Sequence, residues 1–140
     1  MRFMVIVKAN EEIESGAMPT EAQLAEMGRY NEELVKAGIM LAGEGLHPSS
    51  RGARVRFGEG GARTVIDGPF TEAKELVAGY WLLQTKTREE CLEWVKRIPF
   101  QDGEVEVRQV FEADEFGGAY TDEIRAQEDR LRAEIERQHG

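Results

Sequence analysis

Arg2-Phe3-Met4-Val5-Ile6-Val7-Lys8 opens the chain with five consecutive apolar side chains between two cations. Successive residues of a strand point to opposite faces, so a run that is apolar at every position reads as a central strand covered on both sides. Leu76 to Leu83 repeats the pattern, with Tyr80 and Trp81 on opposite faces, where each is expected to pack in a core or interface. Two strands of this kind need a helical layer on one face and a second cover on the other.

The intervening residues supply the helices. Thr20 is a helix cap and Gln23, three residues on, returns the bond, so the first helix starts near Thr20 with a stripe of Leu24, Met27, Leu34 and Val35 and stops at Gly38. Ile39 to Ala42 reads as a second strand that leads into a loop or irregular strand end over Gly43 to Pro48. Ala53 to Phe57 alternates, Gly58-Glu59-Gly60-Gly61 turns the chain, and Thr64 to Ile66 resumes, which is the composition of a hairpin. Thr87 to Glu90 repeats the capping pattern ahead of Cys91, Trp94, Val95 and Ile98, a second amphipathic helix ended by Pro99. Glu104 to Phe111 alternates charged with apolar residues and is the last strand. The fold class that follows is α+β: a ferredoxin-like split βαβ with an inserted hairpin and a mainly antiparallel sheet.

At 140 residues the chain suits one domain able to bury roughly two thirds of its unfolded surface, without help from disulfides or metal. Its net charge of −9 argues against nucleic acid as a partner, since a phosphate-gripping protein needs a basic stripe. Cys91 has no partner for a bridge, and the apolar start is too short for a signal segment or membrane span, so a reducing cytoplasm is the expected compartment. Two histidines and one cysteine do not make a typical zinc set, and no cofactor or metal is expected. From Asp114 the composition changes. A Gly117-Gly118 break precedes Thr121 to Gln138, dense in Glu and Arg, with only Ile124, Leu131 and Ile135 as a thin apolar stripe. Residues 1–112 therefore read as the body and 113–140 as a charged helical extension that docks on the body or on a dimer partner.

Asp67-Gly68-Pro69-Phe70, followed by Thr71 to Leu76 and the aromatic strand Gly79-Tyr80-Trp81, resembles the signature of the DGPF-domain branch of the YciI-like (YCII-related) family. The resemblance reaches upstream to Glu44 to Ser49 and downstream to Glu106 to Phe111, so it spans about the first 112 residues. It implies a dimeric α/β barrel in which two ferredoxin-like sheets pack face to face, with a cleft near the Asp67–Phe70 turn. It also implies isomerase-like or lyase-like relatives, and a frequent association of DGPF proteins with extracytoplasmic-function sigma factors.

Several residues stand out as candidates, each against a plainer role. Asp67 precedes a Gly and a Pro, and accepting backbone N–H bonds to fix the turn is its favoured role; the alternative is an acid–base or orienting dyad with His47. His47 lies in a Gly-rich, Pro-terminated loop, where local structural service outweighs catalysis. Arg51, Arg54 and Arg56 offer guanidinium forks to an anion, although Arg54 and Arg56 share a face and a solvated hairpin surface is the plainer reading. Tyr80 is a further candidate for ligand contact. Cys91 reads as an inert buried thiol, and Ser49 and Ser50 lack the strand-to-helix elbow of a serine hydrolase. Two functions follow as expectations: a homodimer that binds a small anionic metabolite, with His47 and Asp67 handling protons and Arg54 anchoring the anion, or a noncatalytic accessory module that binds a sigma factor.

Overall fold

The computed structural model describes residues 1–140 and divides them into two compact units, Met1–Gln109 and Val110–Gly140. The first unit holds strands β1 (Arg2–Lys8), β2 (Met40–Gly45), β3 (Ala53–Phe57), β4 (Arg63–Asp67), β5 (Val77–Gln84) and β6 (Val105–Gln109). Its helices are α1 (Glu11–Glu14), α2 (Glu21–Lys36) and α3 (Arg88–Val95). The main sheet runs β2-β5-β1-β6 with every neighbouring pair antiparallel, the strand order of a ferredoxin-like split βαβ. β3 and β4 form a separate two-stranded hairpin that joins neither edge of that sheet.

β1 is central, as its two-faced apolar run requires. Val5 lies opposite Trp81 of β5 on one side and Val107 of β6 on the other, so all three point the same way. That face carries the core: Phe3, Val5, Leu83, Leu34 of α2 and Cys91 of α3 are fully buried, with Tyr30, Ile39, Trp81 and Ile98 around them. Gly43 sits opposite Trp81, and a Cβ there would stand 2.9 Å from the indole edge, so the ring packs only because β2 has no side chain at this point. The opposite face of the same strands presents Met4, Ile6, Tyr80 and Leu82, all half-buried. Neither α2 nor α3 contributes to that face, whose β6 edge is charged: Glu106 is 3.4 Å from Lys8 and 3.2 Å from Arg108. The bond from Arg108 and then that from Lys8 hold the Glu106 carboxyl below its ordinary range.

The helices start where their caps predict. Thr20 Oγ1 accepts from Gln23 N–H and Gln23 Oε1 accepts from Thr20 N–H, a complete capping box. At Thr87 only half of the pattern forms, because Glu90 returns its carboxylate to Lys86 N–H instead. Gly38 takes φ +73° after α2.

Of the loop or irregular strand end expected over Gly43 to Pro48, Gly43 to Gly45 form a strand end, paired with Trp81, Tyr80 and Gly79 after a register shift between Met40 and Ala42. Two expectations need correction. α3 ends at Val95, before Pro99, and the chain turns to bury Ile98. Between β1 and α2, a segment with no element assigned from sequence, lies α1, capped by Asn10 Oδ1 on Ile13 N–H. The buried stripe of α2 is Met27, Tyr30 and Leu34, while Leu24 and Val35 are 59% and 62% exposed. Positions 27, 30 and 34 follow the i, i+3, i+7 line that faces the sheet, and Tyr30 reaches the core because its hydroxyl donates to Trp94 O at 2.8 Å.

The second unit contains a 3₁₀ stretch, Ala113–Ala119, and α4 (Asp122–His139), capped by Thr121. Phe111, Phe116 and Tyr120 stack in sequence, and Tyr120 donates to Glu128 while Arg125 pairs with Asp114 at 3.1 Å. Ile124, Leu131 and Ile135 remain largely exposed along α4. No helix of the protein is long and apolar enough to cross a membrane.

Burial separates two leucines on one helix. Leu34→Ala should cost about 2–5 kcal/mol in urea unfolding, whereas Leu24→Ala, on the exposed flank, should change stability by under about 0.5 kcal/mol. Equal costs would contradict the orientation of α2.

Candidate functional site

Three segments distant in sequence meet at the Asp67–Phe70 turn. β4 delivers the chain into Gly68 and Pro69, joined by a cis peptide, and Gly68 N–H donates to Gly52 O at 3.0 Å. Phe70 N–H donates to Ser49 Oγ at 3.0 Å, and that hydroxyl donates in turn to Glu14 Oε2 at 2.5 Å. Glu14 Oε1 also accepts from Ser49 N–H at 3.0 Å. One carboxylate on α1 thus holds both donors of Ser49, and the serine oxygen holds the turn. Gly68 is a steric requirement here, since a Cβ would fall 1.8 Å from Ser49 O.

Around this junction the candidate side chains are distributed unevenly. Arg51 Nη1 lies 3.3 Å from Nδ1 and 3.2 Å from Nε2 of His47. Arg51 Nη1 is thus within hydrogen-bond distance of both ring nitrogens, and the tautomer sets which of them accepts. Arg54 lays its guanidinium on the Phe70 ring, 3.8 Å from the centroid, which binds the hairpin's base to the turn. Asp67 is exposed and its carboxylate takes part in no hydrogen bond or ion pair, so the turn-fixing role favoured from sequence is performed by Ser49 and Glu14 instead. No hydrogen bond joins His47 to Asp67. Tyr80 lies away from the junction, on the sheet.

Tyr80 instead lines a cleft of about 240 Å³ with Val7, Met27, Asn31, Gly43, Glu44, Gly45, Ala78, Gly79, Trp81 and Phe100. Asn31 Oδ1 accepts from Trp81 Nε1 at 2.9 Å, which orients both side chains and leaves the amide nitrogen of Asn31 without a protein acceptor. Gly45 closes this cleft at the end of β2, and Leu46 N–H then donates to Ala78 O, so His47 follows two residues beyond the cleft's rim. His47, Arg51, Arg54 and Asp67 are not among its lining residues. No three His, Cys, Asp or Glu side chains converge as a metal-holding group.

Glu14 and Asn31 carry no signal in the sequence, and Ser49, within the Glu44 to Ser49 stretch of the family resemblance, is weighed there only as a nucleophile and not as the anchor of the turn. Asn10 followed by Glu11 and Glu12 is a recognisable cap, and reading it would have placed Glu14 on a helix. Glu14 and Ser49 are 35 positions apart, and the fold of the intervening chain brings them together.

Elsewhere, burial pushes the Tyr30 phenol up to about 12 and raises the Cys91 thiol, both within the core.

A family model described as the YCII-related domain matches residues 1–114. Curated proteins gave no match. Among solved structures, 5-chloro-2-hydroxyhydroquinone dehydrochlorinase from Burkholderia phenoliruptrix AC1100, in complex with 2,5-dihydroxybenzoquinone, aligns with 82% of this chain and 98% of that one at 14% identity and a TM-score of 0.47. At that likeness neither ligand nor chemistry transfers.

Ser49→Ala should cost about 1–3 kcal/mol in thermal or urea unfolding, because it orphans the Phe70 N–H and removes the hydroxyl donor from Glu14 Oε2, which keeps only the longer bond from Ser49 N–H. Gly68→Ala should cost more than Ser49→Ala, as backbone must move to admit the methyl. Cys91, 0% exposed and with its thiol raised by burial, should react with a thiol-specific reagent only at the rate of unfolding.

Proposed function

The chain belongs to the YCII-related family, and on that premise we propose that it acts as a homodimer binding a small anionic metabolite beside the Asp67–Phe70 turn, with His47 as proton-handling group in isomerase-like or lyase-like chemistry. The observation that carries this reading is the bonded junction of the His47–Gly52 loop with the turn, which gathers Arg51, Arg54 and His47 at one corner of an acidic chain. Two guanidinium groups supply the fork geometry that carboxylate and phosphate accept, and the exposed imidazole beside Arg51 is the group that exchanges a proton. Asp67, in the turn bonded to the His47–Gly52 loop, is the carboxylate to orient it once a ligand or a partner subunit orders both.

The cleft that begins at Gly45 adds an apolar and amide-lined compartment next along the chain from His47. A ligand with an anionic end and a planar or apolar body fits that succession, and Asn31 supplies a polar contact there, with the Tyr80 backbone in the cleft wall. The half-buried Met4, Ile6, Tyr80 and Leu82, on the sheet face turned away from α2 and α3, supply the reason for a dimer.

A second reading rests on α4, whose exposed Ile124, Leu131 and Ile135 lie beyond the family-matched residues 1–114: a noncatalytic module binding an extracytoplasmic-function sigma factor through that stripe.

Calorimetric titration with a panel of small aromatic and aliphatic carboxylates and phosphates tests the first reading. A ligand is expected whose affinity falls by about tenfold or more in Arg51→Ala, and for which Asp67→Asn and His47→Asn abolish turnover while retaining binding. A ligand bound equally well by Arg51→Ala would defeat the assignment, and loss of sigma-factor binding on removal of residues 114–140 would favour the second.

A further inference from the structure

We infer that the β3–β4 hairpin is an intersubunit arm whose apolar face docks on the outer flank of α2 in a second copy of this chain. The hairpin is built like a covered element but has no cover. Register places Val55 opposite Val65 and Phe57 opposite Arg63, so these share one face, and Val55, Phe57 and Val65 are 49%, 74% and 65% exposed. A lone two-stranded hairpin is at best marginally stable in water, and an exposed Val/Phe/Val face is what such an arm would bury on assembly.

Charge names the occupant. Residues 51–67 carry Arg51, Arg54, Arg56 and Arg63 against Glu59 and Asp67, a net +2, in a chain of −9, so the remaining residues hold −11. The arm is thus electrostatically matched to the body of its own kind. Within that body α2 has a flank of matching composition: Leu24 and Val35 are 59% and 62% exposed, and Glu21 and Glu32, also exposed, fall beside them on the helix surface. Neither carboxylate takes part in an ion pair; that of Glu33, by contrast, is engaged by Arg97. Arg63, stacked 4.7 Å over Phe57 on the arm's apolar face, presents the cation that such a carboxylate accepts.

The two patches are different surfaces of one chain, so the contact closes only when exchange is reciprocal, each copy's arm on the other's α2. The inference rests on the homodimer of the preceding section in needing two copies, but it assigns a contact separate from the sheet face.

The test incorporates a photoreactive benzoylphenylalanine in place of Phe57 in the full chain, mixes isotopically heavy and light protein, and maps crosslinks by mass spectrometry. Heavy–light products joining position 57 to residues 21–36 are expected. In parallel, Val55→Asp/Val65→Asp should weaken the dimer by about tenfold or more in analytical ultracentrifugation, with the circular dichroism of the body unchanged because both sites are already solvent-exposed. Arg63→Glu should weaken it as well, and Glu32→Arg should restore the lost affinity. A dimer that persists while position 57 crosslinks only within its own chain, or not at all, overturns the arm and leaves the sheet-face dimer standing. A wild-type chain that stays monomeric overturns both.

Discussion

The burial of one face of β1 under α2 and α3 is the constraint on which the first unit depends. Phe3 and Val5 are among its least exposed side chains, and they meet Leu34 and Cys91 from two helices that enter on the same side. Trp81 and Val107 flank Val5 from β5 and β6, so a one-residue slip of either strand would turn its apolar set away from the helices. Gly43 and the Trp81–Asn31 bond fix the remaining edge, the first by yielding space to the indole and the second by satisfying its N–H. The strand order and the position of the cleft both follow from this packing.

The candidate site is a product of backbone satisfaction rather than of side-chain charge. Glu14 accepts from Ser49, Ser49 accepts from Phe70, and Gly68 abuts the Ser49 carbonyl so closely that no other residue fits. The arginines and His47 sit at the corner these bonds hold while remaining exposed themselves, with Arg51 against His47 and Arg54 on Phe70. Arg54 spends its flat face on Phe70 yet keeps its edge donors, which a stacked guanidinium can still offer to an anion.

Surplus apolar surface appears at three places: the sheet face of Met4, Ile6, Tyr80 and Leu82, the Val55–Phe57–Val65 face of the hairpin, and the Ile124–Leu131–Ile135 stripe of α4. These surfaces stand in an acidic chain whose β3–β4 hairpin carries a net positive charge.

The local grammar was legible in the residues themselves. Thr20 with Gln23, Gly38, the glycine run at 58–61 and the two-faced runs at β1 and β5 announce their elements because caps, left-handed turns and strand alternation act over a few residues. The chain order of strands and helices then left the split βαβ as the natural arrangement. Other features were decided by the tertiary structure alone. Leu24 and Val35 are as apolar as Leu34, but only the axis direction of α2 against the sheet determines which of them is covered. Asp67 looks like the anchor of its turn, yet a carboxylate from α1, 53 residues earlier, is the one brought to Ser49. Short-range hydrogen bonding and side-chain period are written in neighbouring residues, whereas contacts between segments separated by dozens of residues depend on how packed elements are oriented, and no local pattern encodes that.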